Sequence, residues 1–203
     1  TVNIKARIIL ISPTSGTVGS VVTVRGNGYG ASEDIDIIFG TTQTIVTTSS
    51  YAEGSWTTTF TVNTQSLGTT TIEAVGINSG ASDLRWEYVI EPRLVYVTPD
   101  RGVVGTVVTL QGGGYFSNEL VQIDFGTTRT ITTVSATAEG SFTVTFTIDT
   151  QRYGSTTIKA TGMSSRGEAD NLQVFIVAKI IQVTPTSGTV GSLVTVYGNG
   201  YGA

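Results

Sequence analysis

The sequence predicts an all-β protein made of tandem antiparallel β-sandwiches, and three observations lead to this prediction. A segment that begins at Pro13 returns at Pro99 and again at Pro185, and both steps are 86 residues long (99 − 13 and 185 − 99). Short runs inside each copy alternate apolar and polar residues, as half-buried strands do. No helical period of useful length is present. A repeat of this length indicates whole small domains in tandem.

The repeat predicts the domain organisation of the 203 residues. We expect residues 1–6 to be the last strand of a preceding repeat, residues 7–92 and 93–178 to be complete repeats, and residues 179–203 to be the opening strands of a third. The apolar face of an incomplete repeat has nothing to cover it, so we expect Val2, Ile4, Val194 and Val196 to be exposed. Either the sequence is a window on a longer array, or the opening strands of one chain complete the unfinished unit of the next.

Composition limits the function classes. Charged residues are 13% of the chain, the net charge is −4 and the pI is about 4.7, so there is no basic field to attract nucleic acid. Cysteine and histidine are both absent, which excludes disulfides, thiolate nucleophiles and every triad that needs an imidazole. No stretch approaches 18 consecutive apolar residues, so we expect no transmembrane segment. We therefore predict that the protein is not an enzyme.

The strands follow one another with the same alternation in each repeat. Comparison of the repeats shows which positions keep apolar side chains, and these we expect to face the core: Val22, Val24, Ile37, Phe39, Phe60 and Ile72, with Val108, Leu110, Ile123, Phe125, Phe146 and Ile158. A last strand carries Trp86, Tyr88 and Ile90. Between the apolar positions of one strand stand threonines, which we expect on the opposite face: Thr57, Thr59, Thr143 and Thr145.

Prolines and glycines mark the turns. Pro13 and Pro99 are expected to end a strand, and Gly16 and Gly102 to give the freedom for a reversal of the chain. The four residues Ala52-Glu53-Gly54-Ser55 predict a hairpin turn with glycine in the left-handed conformation. About seven short strands per repeat, frequent turns and no cysteine pair indicate an immunoglobulin-like sandwich.

The opening half of each repeat resembles a known family. The pattern I-x-x-I-S-P-T-S-G-T-V-G-S-V-V-T-V-R-G-N-G-Y, followed by I-I-F-G-T-T, is similar to the IPT/TIG group of immunoglobulin-like domains, and P-T-S-G-T-V-G is similar to repeats of prokaryotic cell-surface proteins. The resemblance implies an extracellular, modular protein with a structural or adhesive role. Domains of this group also occur beside DNA-binding domains and in starch-acting enzymes, and the acidic balance argues against the first setting.

Acidic residues are candidates for a calcium site. Glu33, Asp34 and Asp36 offer oxygen ligands, whereas we interpret Glu119 and Asp124 of the second repeat as lying at other phases. Calcium needs six to eight converging oxygens. We therefore expect solvated loop charges, and no metal, catalytic or cofactor-binding residues.

Aromatic residues are candidates for a sugar-stacking platform. Trp56 corresponds to Phe142 at a core position, and Leu172 and Val174 replace Trp86 and Tyr88 in the second repeat, so all three aromatic residues are predicted to be core. Tyr29 and Tyr115 are expected to close the end of the core. The exposed candidate Tyr51 becomes Thr137, which weakens the case for a repeated binding site.

The joints between repeats are short and basic. Only Glu91, Pro92 and Arg93 separate Ile90 from Leu94, so we expect a stiff, regularly rotated rod. A basic residue recurs at the joint, and it either pairs with an acidic turn of the neighbouring unit or acts as an edge charge that deters strand addition: Arg7, Arg93 and Lys179.

These observations together predict a structural protein of a prokaryotic surface layer, sheath or extracellular filament, located outside the cell and assembling with copies of itself. The alternative is an adhesin or carbohydrate-binding module with ligand contacts on loop tips, and a cell-surface glycan is the corresponding partner. We expect no nucleic-acid partner and no cofactor.

Overall fold

The computed structural model describes residues 4–202, apart from the side chains at positions 84 and 85. All regular secondary structure in the described residues is β-strand. The chain forms two compact units, of which one comprises Thr1–Pro92, Gly113–Ser117 and Ala138–Ser141, and the other comprises Arg93–Gly112, Asn118–Thr137 and Phe142–Ala203.

The first unit is a two-layer sandwich. Its eight strands are β1 (Arg7–Ser12), β2 (Ser15–Thr17), β3 (Val21–Asn27), β4 (Asp34–Phe39), β5 (Thr42–Ser49), β6 (Trp56–Thr61), β7 (Gly68–Gly76) and β8 (Ser82–Glu91). They form a three-stranded sheet in the order β1-β3-β6 and a five-stranded sheet in the order β2-β8-β7-β4-β5. This is the strand order of an immunoglobulin-like sandwich, which confirms the predicted fold class.

One short strand differs from the prediction. The structure has one strand more than the seven predicted, and this additional strand is β2. It pairs in parallel with β8, while the other strand pairs of this unit are antiparallel. The reason is that the two residues after β1 carry the chain to the opposite sheet instead of forming a hairpin. Pro13 ends β1, as expected.

The second unit repeats this plan. Its strands are β9 (Arg93–Thr98), β10 (Arg101–Gly102), β11 (Val107–Gly113), β12 (Leu120–Phe125), β13 (Thr128–Ser135), β14 (Phe142–Thr147), β15 (Gly154–Gly162), β16 (Glu168–Ile176), β17 (Lys179–Thr184) and β18 (Thr195–Asn199). The sheet orders are β14-β11-β9 and β10-β16-β15-β12-β13, and β17 pairs with β18 alone. Each strand from β9 to β16 begins 86 residues after its counterpart among β1 to β8.

The predicted division into core and outer face is confirmed. All twelve residues predicted to face the core are buried, and the rings of Phe60 and Phe146 are each only 5% exposed. Thr57, Thr59 and Thr61 of β6 are exposed on the other side of the strand, and β14 has the same pattern. The alternation of period two thus places one face of each strand in the core.

Two turn predictions are wrong. Gly16 and Gly102 do not reverse the chain but lie in β2 and β10. The glycine three residues later in each repeat has a left-handed φ instead, 90° at Gly19 and 94° at Gly105. A Cβ atom at Gly16 would stand 2.5 Å from the Tyr88 hydroxyl oxygen, so this glycine is required by close packing.

The turn around Gly54 has the predicted left-handed glycine, with φ of 77°. It is not a hairpin, however, because β5 and β6 belong to different sheets. The turn instead carries the chain from one layer of the sandwich to the other.

Apolar side chains near both ends of the described residues are exposed. Ile4 is 75% exposed, Val194 is 49% exposed and Val196 is 55% exposed, as predicted. The corresponding prediction for Val2 lies outside the described residues.

We predict that Phe60→Ala lowers the free energy of unfolding by about 3–5 kcal/mol, because it leaves a cavity between the sheets. Thr59→Val is the matched control on the outer face of the same strand, and it should change that free energy by no more than about 0.5 kcal/mol. Urea unfolding curves measure both. Equal losses for the two variants would contradict the assigned faces.

Candidate functional site

The three acidic residues near the start of β4 differ in their exposure to solvent. Asp34 is exposed and Asp36 is half-buried, whereas Glu33 is only 3% exposed. The prediction of a solvated loop charge is therefore wrong for Glu33. A carboxylate is buried in this way only where hydrogen bonds replace its hydration.

Glu33 joins two loops at one end of the first sandwich. Its Oε2 accepts a hydrogen bond from the Ser79 amide at 2.9 Å, and its Oε1 accepts one from the Ser79 hydroxyl at 2.8 Å. The Gly30 amide also donates to Oε1. Burial alone would raise the pKa of this carboxyl, but the hydrogen bonds from Ser79, Gly30 and Asn78 outweigh it and hold the pKa below its ordinary value.

The same clamp occurs in the second unit. Glu119 is 5% exposed, and its carboxylate accepts hydrogen bonds from the Ser165 amide at 3.0 Å and the Ser165 hydroxyl at 2.9 Å. Glu119 lies 86 residues after Glu33 (119 − 33), so placing it at another phase was wrong. Correct phasing identifies an acidic position kept in both repeats, and that signal was available in the sequence.

The other carboxylates do not converge on one point. Asp34 Oδ1 accepts a hydrogen bond from Ser49 Oγ at 2.7 Å, and Asp36 Oδ1 accepts one from Thr47 Oγ1 at 2.6 Å, both at the surface. In residues 4–202, no group of three or more His, Cys, Asp or Glu side chains has an arrangement that holds a metal ion. These contacts tie neighbouring strands β4 and β5 together.

A glutamine that sequence analysis missed closes another part of each sandwich. Gln65 is 4% exposed, and its amide nitrogen donates to Asn63 Oδ1 at 3.0 Å and to the Phe39 carbonyl at 3.4 Å. Gln151 makes the equivalent contacts, with Asp149 Oδ1 at 2.8 Å and the Phe125 carbonyl at 3.3 Å. The sequence did contain a signal for this contact, because glutamine occupies the same position in both repeats.

The aromatic candidates do not form a platform. Trp56 is 2% exposed and packs edge-on against Tyr29 with ring centroids 5.7 Å apart, and the Tyr29 hydroxyl donates to the Ala74 carbonyl at 3.1 Å. Tyr88 is fully buried against Phe39 at 5.6 Å. Burial raises the pKa of Tyr88, with a smaller contribution from the charge of a nearby glutamate. Core placement is confirmed for Trp56, Tyr88, Tyr29 and Tyr115, while Trp86 is only half-buried.

Basic residues at the joints all begin edge strands. Arg7 starts β1, Arg93 starts β9 and Lys179 starts β17, and each of these strands ends the order of its sheet. Arg7 and Lys179 are exposed, and Arg93 is half-buried. A charge at an edge disfavours pairing with a further strand, so the exposed Arg7 and Lys179 are placed as edge charges would be.

The outer edge strands of the two five-stranded sheets differ in protection. Strand β5 carries no charged residue, whereas β13 contains Arg129. In β13, Thr130 adopts a left-handed φ of 56°, and its amide donates to Asp124 Oδ1 at 2.8 Å. Charges and local distortions protect a sheet edge from strand addition. The Thr42–Ser49 edge, which we call the β5 edge, thus carries no charge of its own.

Acid should weaken the clamp at Glu33. Because the folded-state pKa is lower than the unfolded value of about 4.3, Glu33 stabilises the fold at pH values above the unfolded pKa, and this contribution is lost as the pH falls through the folded pKa. Glu33→Gln should lower the free energy of unfolding at pH 7 by roughly 1–3 kcal/mol, because one of the two acceptor oxygens becomes an NH2 group that faces buried donors. Urea unfolding between pH 7 and pH 3 measures both effects. The control, Asp34→Asn, changes an exposed carboxyl, and an equal loss there would refute the role of Glu33.

No family model and no curated protein matches the chain. Among solved structures it is similar to a tetra-tandem repeat from the extending region of a large adhesion protein, with 16% identity, coverage of 87% of this chain and 50% of that one, and a TM-score of 0.39. It is also similar to invasin, a bacterial integrin-binding protein, with 15% identity, 89% and 42% coverage, and a TM-score of 0.36. The chain spans 29% of a matched biofilm-associated protein. The immunoglobulin-like fold itself is established by the strand order, and the IPT/TIG resemblance stays a prediction.

Proposed function

We propose that the chain is part of a structural protein of a prokaryotic cell surface or extracellular filament, in which immunoglobulin-like repeats form a stiff array that assembles with copies of itself. The observation that carries this proposal is the return of one complete strand plan after 86 residues. An array of this kind gains length by repetition and presents equivalent surfaces along it.

The joints support stiffness. Strand β8 ends at Glu91 and β9 begins at Arg93, so Pro92 is the whole connection. Between β16 and β17 the connection is two residues, Val177 and Ala178. Proline restricts its own φ and the conformation of the residue before it, and neither joint contains glycine or serine.

The β5 edge supports self-association. It is eight residues long, it ends its sheet, and it carries no charge that would oppose a second strand. Strand addition supplies main-chain hydrogen bonds, and threonine side chains suit the pleated surface of a joined sheet. Two β5 edges from separate chains are chemically compatible because neither brings a like charge to the other.

A structural role also fits the carboxylates. Glu33 and Glu119 are the buried acids of the described residues, and hydrogen bonds from serine side chains and backbone amides occupy both. A general acid or base needs a carboxyl that faces substrate. Neither residue is placed for such a task, which supports a protein without catalytic activity.

Self-association through the β5 edge should fall when a charge is placed there. Gln43→Arg introduces the residue that the second repeat has at the same phase, Arg129, and paired like charges should weaken association roughly fivefold, equivalent to about 1 kcal/mol. Sedimentation over a range of concentrations measures the effect.

The control for this experiment is Thr71→Arg, which places the same charge at an exposed position of the central strand β7. It should leave association unchanged. A monomer at all concentrations in the unmodified chain, or equal weakening by both variants, contradicts assembly through this edge.

A further inference from the structure

Four side chains of the second unit meet in one surface patch: Asp100, Arg101, Tyr153 and Phe175, which we call the Tyr153 patch. Arg101 lies in β10, Phe175 lies in β16 beside it, and Tyr153 directly precedes β15. Strands β10, β16 and β15 are neighbours in the five-stranded sheet. The sheet therefore brings together Arg101 and Phe175, which are 74 positions apart in the sequence (175 − 101).

The patch combines aromatic rings with two opposite charges. The rings of Tyr153 and Phe175 are nearly perpendicular, at 83°, with centroids 5.3 Å apart, and the Arg101 guanidinium lies 5.6 Å from the centre of the Phe175 ring. Tyr153 is 59% exposed. A cleft of about 400 Å³ is lined by Asp100, Arg101 and Phe175.

The fold does not require these side chains. At the same phase the first repeat has Thr14, Ser15, Leu67 and Val89. The backbone is nevertheless equivalent, because the Phe175 amide donates to the Asp100 carbonyl at 2.8 Å and the Val89 amide donates to the Thr14 carbonyl at 3.0 Å. The second repeat thus differs from the first at four positions that lie close together. At these positions it has aromatic or charged side chains where the first repeat has small or aliphatic ones.

We propose that the Tyr153 patch binds a pyranose residue of a neutral polysaccharide. The exposed ring of Tyr153 offers an apolar face to the C–H groups of a sugar. Arg101 donates hydrogen bonds to hydroxyl oxygens, and the Asp100 carboxylate accepts hydrogen bonds from hydroxyl protons. Their charges cancel, so the cleft selects neither an anion nor a cation.

This binding goes beyond the proposed structural role. Of the two complete repeats in this sequence, the second carries the patch and the first does not. A sugar site on each copy of an assembling protein would hold the assembly to a surrounding polysaccharide. Arg101 and Phe175 lie on strands, and Asp100 and Tyr153 each directly precede a strand.

Affinity electrophoresis of the complete chain tests the proposal, with gels that contain soluble β-glucan, mannan, xylan or hydroxyethylcellulose. At least one polysaccharide should retard the chain. The double variant Tyr153→Leu with Phe175→Val restores the residues of the first repeat and should raise the dissociation constant at least tenfold. Arg101→Ser, again the residue of the first repeat, should weaken binding as well. Because the first repeat folds with these residues, thermal unfolding should be nearly unchanged in each variant.

The matched control is Tyr51→Thr, which removes a tyrosine of equal exposure, 59%, outside the patch and installs the residue of the second repeat. It should leave retardation unchanged. The proposal is wrong if none of the four polysaccharides retards the chain, if the patch variants bind as well as the unmodified chain, or if Tyr51→Thr loses binding equally. Binding of a proline-rich peptide instead of any sugar would also overturn it.

Discussion

An aromatic pair packs between the two layers of each sandwich, where it joins β4 to β6 in the first unit and β12 to β14 in the second. The rings of Phe39 and Phe60 lie 5.0 Å apart, and those of Phe125 and Phe146 lie 5.2 Å apart, at almost the same tilt. Each pair fixes which face of its two strands is buried, because a slip of one residue would turn every side chain of a strand to the other side. The threonine rows, the edge strands and the surface patches all take their positions from this constraint.

Much of the fold could be predicted because the chain provides its own alignment. Phe60 and Phe146 stand at one phase, as do Ile37 and Ile123, and all four side chains are buried. Alternation of period two then assigns the faces of each strand from the sequence alone. The order of the strands in the sheets was harder to predict from the sequence. The parallel pairing of β2 with β8 requires the chain to cross from one layer to the other, and no local sequence pattern indicates that crossing.

The polar parts were harder to predict because they depend on contacts between distant residues. Glu33 was expected in solvent, yet its partner Ser79 lies 46 residues away and brings the donors that make burial possible. Such hydrogen bonds between distant residues produce no periodic pattern in the sequence. The only sequence signal for them was the glutamate at the equivalent position of the second repeat, Glu119. The Tyr153 patch could not be predicted in this way, because a comparison of the repeats identifies the residues that both contain, and the patch residues occur in the second repeat but not in the first.

The repeated sandwiches form the shared framework of the chain, and both proposed contact sites lie where the two repeats differ. The uncharged β5 edge and the Tyr153 patch are both places where one repeat departs from the other, while the buried clamps are shared. Electron microscopy of the native organism, with antibody labelling of this chain, tests the structural claim most directly. The account predicts label along a continuous surface layer, sheath or extracellular filament with regularly repeated units. Label confined to the cell interior, or to isolated particles, would contradict it.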